Sequence, residues 1–374
     1  MRIRAAVLRE MGASVPYADS KPLKIESIEL EGPGEGEVLV EVKAAGLCHS
    51  DLSAIDGNRA RPLPMVLGHE AAGIVREVGK GVSTLAAGDH VVMIFVPGCG
   101  HCVPCAEGRP ALCEPAAKAN VSGTLLSGAR RLRDNGKPVN HLCGVAAFAE
   151  CAVVSERSCV KIDKSLPFDE AALFGCAVIT GVGAVFNTSQ VKAGARVAVI
   201  GLGGVGLNSL MAAVAAGARQ VIAVDLRDDK LQLARQLGAS ATFNAGETDV
   251  VDRIRSVTDG GVDYAFEMAG SIPALELAWK VTRRGGETVT AGLPHPSKTL
   301  AVAPAQIVAE ERTLKGSYVG SCVPLRDIPL YIELYRAGKL PVDRLMSDHI
   351  VLNDINAGFD RLAAGATVRQ IVML

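Results

Sequence analysis

The chain has no excess of one charge and no long run of either. Its 39 Lys and Arg stand against 40 Asp and Glu, a formal net charge of −1 over 374 residues. Binding to nucleic acid or to an anionic membrane calls for a basic patch, so neither partner is expected. Internal repeats and low-complexity tracts are also missing, which leaves packed globular domains. The N-terminal stretch MRIRAAVLREMG has no apolar core of the signal-peptide kind before Arg9 and Glu10 bring charge back. The expectation is a cytoplasmic protein in a reducing setting. Disulfides are disfavoured there, and clustered cysteines bind metal or do chemistry.

What is present divides the chain into distinct styles. A length of 374 residues suggests two or three domains at about 150 residues each. The first part, with IESIELEGPGEGEVLVEVKAAG and HEAAGIVREVGKGVSTLAAGDHVVM, alternates apolar and polar residues around Gly-rich turns, as a small barrel-like β domain does. After about Val178 short buried strands (RVAVIG, QVIAVD, ATFN, VDYAFEMAG, ETVTAGL) alternate with helices such as DDKLQLARQLGA and PALELAWKVTRRG. That alternation implies βαβ units and a parallel sheet, so the fold class is α/β. The expected boundaries are 1–177 for the β-rich domain, 178–321 for the parallel-sheet domain and 322–374 for a segment returning to the first. The apolar stretch 197–218 is long enough to raise a membrane span, but its early glycines and Asn208 suit a strand, a turn and a helix.

The turn GLGGVG (Gly201, Gly203, Gly204, Val205 and Gly206 around Leu202) fits G-x-G-x-x-G, follows a buried strand and opens a helix. A second strand ends at Asp225. Glycines let the backbone approach a pyrophosphate at the positive end of the helix, and the acid accepts hydrogen bonds from the adenosine ribose. An acid there repels a 2′-phosphate, which favours NAD over NADP; Arg227 leaves some room for NADP. In PGCGHCVPCAEGRPALC, Cys99, Cys102, Cys105 and Cys113 follow one another at two tight spacings and one of seven residues. Four thiolates can close a tetrahedral zinc shell with no open position. An iron–sulfur cluster is the alternative, although bacterial ferredoxins place the fourth cysteine three residues on and before a proline.

Three further motifs, GLCHSDL, GHE and GCAVITG, are unremarkable singly. Together with the cysteine cluster and GLGGVG, their order resembles the zinc-dependent alcohol dehydrogenases of the medium-chain dehydrogenase family, through essentially the whole chain. The resemblance implies a GroES-like catalytic domain, a Rossmann coenzyme domain and two zinc ions. Cys48, His69 and Cys176 would hold the catalytic zinc, and the four clustered cysteines the structural one. Glu70 would lie close to the metal, and Asp51 would orient the imidazole of His69. Ser50 would take the alcohol proton while a hydride goes to NAD. His49, Thr180, Lys230 and Arg369 match cofactor-contact positions. Phe95, Leu142, Leu293 and Val319 match the substrate lining, all apolar, which favours a medium-length or aromatic primary alcohol over a polyol.

Two positions depart from well-known relatives. Where those with a full proton relay carry histidine, this chain has Ser53, so the proton would leave through Ser53, water or the ribose. Where glutathione-dependent formaldehyde dehydrogenases carry arginine after the cysteine lobe, it has Ala117 beside Lys118. The first expectation is therefore an NAD-linked zinc alcohol dehydrogenase acting on a small-molecule alcohol or aldehyde. The second is an S-(hydroxymethyl)glutathione dehydrogenase, and the third a non-catalytic nucleotide-binding protein. The long segment after the lobe resembles the dimeric branch, so a homodimer joined at the sheet edges is expected.

Overall fold

In LKIESIEL the buried positions are Leu23, Ile28 and Leu30, with charged residues between them, and this pattern builds the strand Leu23–Leu30. In the computed structural model, which describes residues 1–374, that strand pairs antiparallel with Arg2–Leu8. Leu132–Asp134, Lys137–His141 and Met65–Val66 complete a closed barrel. A second, 7-stranded sheet centres on Glu37–Gly46. That strand is flanked by Ala71–Val78, Cys151–Ser155 and the C-terminal strand Arg369–Met373. The apolar faces of Val38, Val40, Val42, Val75, Val91 and Phe148 form the main core here.

The later part carries a 6-stranded sheet in which every pair is parallel. Its order is Ala241–Asn244, Gln220–Asp225, Arg196–Ile200, Val262–Glu267, Thr282–Thr290, Thr313–Gly316. In chain order this reads 3-2-1-4-5-6, the doubly wound arrangement whose ligand site lies where the order reverses. The reversal falls between Arg196–Ile200 and Val262–Glu267, with Ile200 opposite Glu267. Strand Arg196–Ile200 is buried from Val197 onward, as expected of a sheet covered on both faces.

The chain divides into two compact units, Met1–Cys176 with Val323–Pro329 and Val342–Leu374, and Ala177–Cys322 with Leu330–Pro341. The segment after 322 is thus shared rather than wholly returned to the first unit. Its helix, Pro324–Arg336, buries Tyr331 in the second unit, where the phenol oxygen meets Asn187 Nδ2 at 3.2 Å. A second difference from the sequence reading concerns VTRRG. The helix Ile272–Val281 stops at the first residue of that stretch, because Thr282 turns extended and its hydroxyl donates to the carbonyl of Ala278 at 2.8 Å. The stretch 197–218 resolves into the strand Arg196–Ile200, the glycine turn and the helix Gly204–Ala215. Another helix, Phe168–Thr188, is long and apolar enough to cross a membrane, but 78% of its apolar window is buried inside the protein.

Candidate active site

Three residues far apart in the chain converge in the first unit. Cys48 stands at the N-terminus of the helix His49–Ile55, and His69 lies between the strands Met65–Val66 and Ala71–Val78. Cys176 lies in the π-helical turn Phe174–Val178. Gly175 beside it lets this turn close on the sheet, since a Cβ there would stand 2.5 Å from the carbonyl of Met93. One ligand atom from each of the three residues lies within 4.8 Å of the others, and all three residues are buried. Asp51, buried as well, holds His69 in place: its Oδ1 accepts from Gly68 N–H at 2.9 Å and meets His69 Nδ1 at 3.3 Å. With Nδ1 turned to a carboxylate, Nε2 is the free ligand atom, and it is buried without a hydrogen-bond partner.

Two sulfurs and one orphaned imidazole nitrogen could hold a metal ion, and a set of three such donors suits a zinc that keeps a fourth position open. Cys2His is the ligand set of the catalytic zinc in alcohol dehydrogenases. The charges agree. A hydrogen bond from Cys176 pulls the Cys48 thiol well below its ordinary range, against burial, and leaves Cys176 well above it. Burial disfavours charge on His69, but the Asp51 carboxylate and Cys48 outweigh it and raise its pKa. Glu70 is buried with both oxygens lacking hydrogen-bond partners, and burial pushes it up to about 7 against the pull of Arg369. Arg369 Nη1 lies 3.4 Å from Glu70 Oε2 and donates to the Leu47 carbonyl at 3.2 Å. This cofactor candidate is therefore seated deep beside the metal-type cluster. His49 and Ser50 lie exposed on the first turn after Cys48, and the Ser53 hydroxyl donates to the His49 carbonyl at 2.9 Å.

The four lobe cysteines form a second group whose sulfurs all lie within 4.8 Å of one another. Backbone N–H groups already point at them: Cys99 N–H donates to Cys113 Sγ at 3.2 Å and Cys102 N–H to Cys99 Sγ at 3.4 Å. Such bonds favour thiolates, and closed four-sulfur coordination suits a structural metal. Ala116 and Leu126 pack against the cluster.

In the second unit three glycines of the turn differ in what a side chain there would meet. Gly201 has φ +91°, and a Cβ would lie 2.7 Å from Ala269. At Gly206 a Cβ would lie 1.8 Å from the Gly201 carbonyl, so the helix Gly204–Ala215 can close on the turn only without a side chain. Gly203 differs. Its backbone is extended and a Cβ there would meet nothing within 4 Å. The fold itself leaves room for a side chain at 203, and that open space is what a phosphate at the helix N-terminus would use. Asp225 ends its strand with Oδ2 accepting from Leu202 N–H at 2.6 Å and Oδ1 from Arg227 N–H at 3.0 Å, so it also braces the turn. A cavity of about 490 Å³ opens beside it, lined by Asp225, Leu226, Ala245, Val250, Pro273 and Leu277 among others. Thr180 and Lys230 are half-buried in the same unit.

Of the four lining candidates, Phe95 and Leu142 belong to the first unit and Leu293 and Val319 to the second. The Phe95 ring meets the His69 ring edge-on at 5.2 Å between centroids, while Leu142 is buried in the core and Leu293 is exposed. Val319 has φ +50°, a strained conformation for a β-branched residue. Thr188 holds this turn, its hydroxyl 2.8 Å from that of Ser317 and 2.9 Å from that of Ser321. Sequence reasoning did not single out these hydroxyls, nor Glu267, whose Oε1 accepts from Gly270 N–H at 2.5 Å and Oε2 from Thr290 at 2.7 Å. Glu267 ends its strand as Asp225 ends its own, a signal that was there to be used.

Comparison with known proteins agrees with this geometry. Residues 34–164 match the alcohol dehydrogenase GroES-like domain, and residues 204–336 match the zinc-binding dehydrogenase family. An S-(hydroxymethyl)glutathione dehydrogenase of Paracoccus denitrificans is 37% identical over the whole of both chains. The crystal structure of an alcohol dehydrogenase zinc-binding domain protein from Burkholderia ambifaria superposes with a TM-score of 0.94 at 38% identity, covering 100% of this chain and 99% of that one. Benzyl alcohol dehydrogenase from Acinetobacter calcoaceticus gives 0.93 at 34% identity with the same coverage. The chain belongs to the zinc-dependent alcohol dehydrogenases of the medium-chain dehydrogenase family.

Proposed function

We propose that this enzyme oxidises primary alcohols, medium-chain or aromatic, to aldehydes and runs the reverse reaction, with NAD as the hydride acceptor. Two zinc ions serve each subunit, one on Cys48, His69 and Cys176, the other on Cys99, Cys102, Cys105 and Cys113. The observation that carries this reading is the buried, partnerless Nε2 of His69 beside two cysteine sulfurs. Zinc held there would supply Lewis acidity that brings an alcohol hydroxyl within reach of deprotonation at neutral pH, and bound NAD would supply the hydride acceptor. Asp51 fixes the imidazole so that Nε2 faces the metal position. Ser50 Oγ, on the exposed first turn, receives the alcohol proton and passes it outward. Ser53 Oγ already spends its own proton on the His49 carbonyl, so it acts as an acceptor on that path. Arg369 offsets the buried charge of Glu70.

Asp225 favours NAD, because its carboxylate repels a 2′-phosphate. Arg227 does not reverse this, since its guanidinium is engaged bidentately with Asp229 at 3.1 and 3.0 Å. The strand Thr313–Gly316 has one neighbour in its sheet and is largely exposed. A second copy pairing there would give a homodimer, which we place in the cytoplasm; light scattering tests the assembly. The glutathione-adduct reading is kept because of the Paracoccus relative and weakened by Ala117, which is exposed and uncharged.

The experiment is NADH formation from NAD with ethanol, hexanol, benzyl alcohol and formaldehyde plus glutathione. Oxidation of free hexanol and benzyl alcohol supports the proposal. Turnover confined to the glutathione adduct replaces it with the second reading.

A further inference from the structure

The cysteine lobe and the zinc-type cluster are joined by a short chain of contacts that no sequence motif announces. Phe95 stands four residues before Cys99, and its ring lies edge-on to His69 at 5.2 Å. Asn120 lies seven residues after Cys113, near the end of the helix Glu114–Ser122. Its amide Nδ2 donates to the Phe95 carbonyl at 2.9 Å. This bond closes the base of the whole excursion that carries the four cysteines. The helix is fixed at its other end by the cluster, with Cys113 at its N-terminus and the Cys113 carbonyl accepting from Ala117 N–H at 3.0 Å. Ala116 buries against the sulfurs. Arg61 Nη1 reaches the Asn120 carbonyl at 3.4 Å, which steadies the same residue from the barrel side.

We propose that Asn120 is a positioning residue that sets Phe95 against His69, so that the lobe, by holding the helix Glu114–Ser122, tunes which alcohols the site accepts. Phe95 is half-buried against the main core and has no hydrogen bond through its side chain, so its position follows that packing and its backbone. The backbone at 95 is free of sheet pairing, because the strand His90–Met93 has already ended. The Asn120 amide is what remains to fix that carbonyl, and a carbonyl released from it lets the peptide and the ring turn together. A displaced ring changes the room for an aromatic substrate more than the room for ethanol. The inference rests on the reading of Phe95 as substrate lining.

The test compares the ratio of kcat/KM for benzyl alcohol to that for ethanol in the zinc-loaded enzyme and in Asn120→Ala, Asn120→Gln, Phe95→Leu and the Asn120→Ala/Phe95→Leu double variant. Zinc content is measured in each. The cobalt-substituted catalytic site gives a visible spectrum that reports His69 without turnover. Asn120→Ala is expected to lower the ratio by roughly fivefold, mainly through KM for benzyl alcohol, in line with one neutral hydrogen bond. It also shifts the cobalt band, keeps both zincs and adds nothing in the Phe95→Leu background; Asn120→Gln restores part of the ratio. A Phe95→Leu variant with an unchanged ratio refutes the lining assignment. A Phe95→Leu effect without an Asn120→Ala effect, or an Asn120→Ala effect that persists undiminished in the double variant, overturns the coupling alone.

Discussion

Asp51 Oδ1 stands 3.3 Å from Nδ1 of His69, and both side chains are sealed from solvent. The same oxygen accepts from the Gly68 N–H, so the carboxylate cannot swing away without losing a backbone bond. Asp51→Asn keeps the size but removes the charge that fixes the imidazole. We expect activity or zinc affinity to fall about 10- to 100-fold. Zinc release to a chelator, timed alongside kcat/KM, checks this; an unaltered release rate and activity would leave Asp51 without the assigned role.

The glycine turn predicts a contrast within six residues. Gly203→Ala should change unfolding free energy by less than about 0.5 kcal/mol, since its Cβ meets nothing, yet raise the NAD dissociation constant about tenfold or more. Gly206→Ala should cost about 2 kcal/mol or more, since its Cβ runs into the Gly201 carbonyl. Denaturant titration and NAD binding on both variants separate the two effects. Equal destabilisation by both would remove the argument that Gly203 is kept for a phosphate.

His141 gives a pH prediction away from the metal clusters. It is buried, its Nε2 accepts from the Arg131 N–H at 3.0 Å, and burial drives its pKa down to about 3, with Arg130 and Arg131 pushing the same way. The unfolded chain binds this proton near 6.5. The stabilisation is therefore complete above pH 6.5 and drains away as pH falls toward 3, at up to about 1.4 kcal/mol per pH unit. His141→Gln keeps an acceptor for Arg131 and should flatten the stability–pH curve in that window. Urea midpoints at pH 7, 6 and 5 for both proteins decide it; parallel slopes would count against His141 as the source.

The lobe metal predicts a change in composition. Cys105→Ser should bind one zinc fewer per chain than the parent. Its thermal midpoint should drop by roughly 2–4 °C for each kcal/mol of metal-linked folding energy lost. Zinc analysis with calorimetry reads both. Full zinc content in the variant would point away from four-sulfur coordination.

Much of the second unit was legible in the sequence. Parallel strands buried on both faces read as short apolar runs, and RVAVI, QVIAVD and VDYAFE became strands with helices between them. The four lobe cysteines were legible by spacing alone. Cys48, His69 and Cys176 were not, because single residues on three separate elements carry no local signal; only the order of motifs joined them, and the geometry then brought them together. The helix end at Thr282 was missed because it depends on that hydroxyl turning back on Ala278 and pairing with Thr288 at 2.7 Å. The division of the last segment was missed because the burial of Tyr331 is decided by distant partners. The Asn120–Phe95 bond is likewise a tertiary fact, invisible in either local sequence.

The most direct test of the central claim is NAD-linked oxidation of benzyl alcohol by the purified enzyme before chelation, after removal of zinc, and after zinc is restored, with Cys48→Ser carried through the same steps. Activity should disappear with the metal and return with it in the parent, and be absent at every stage in the variant. Undiminished oxidation by the zinc-free parent, or full activity in Cys48→Ser, would contradict it.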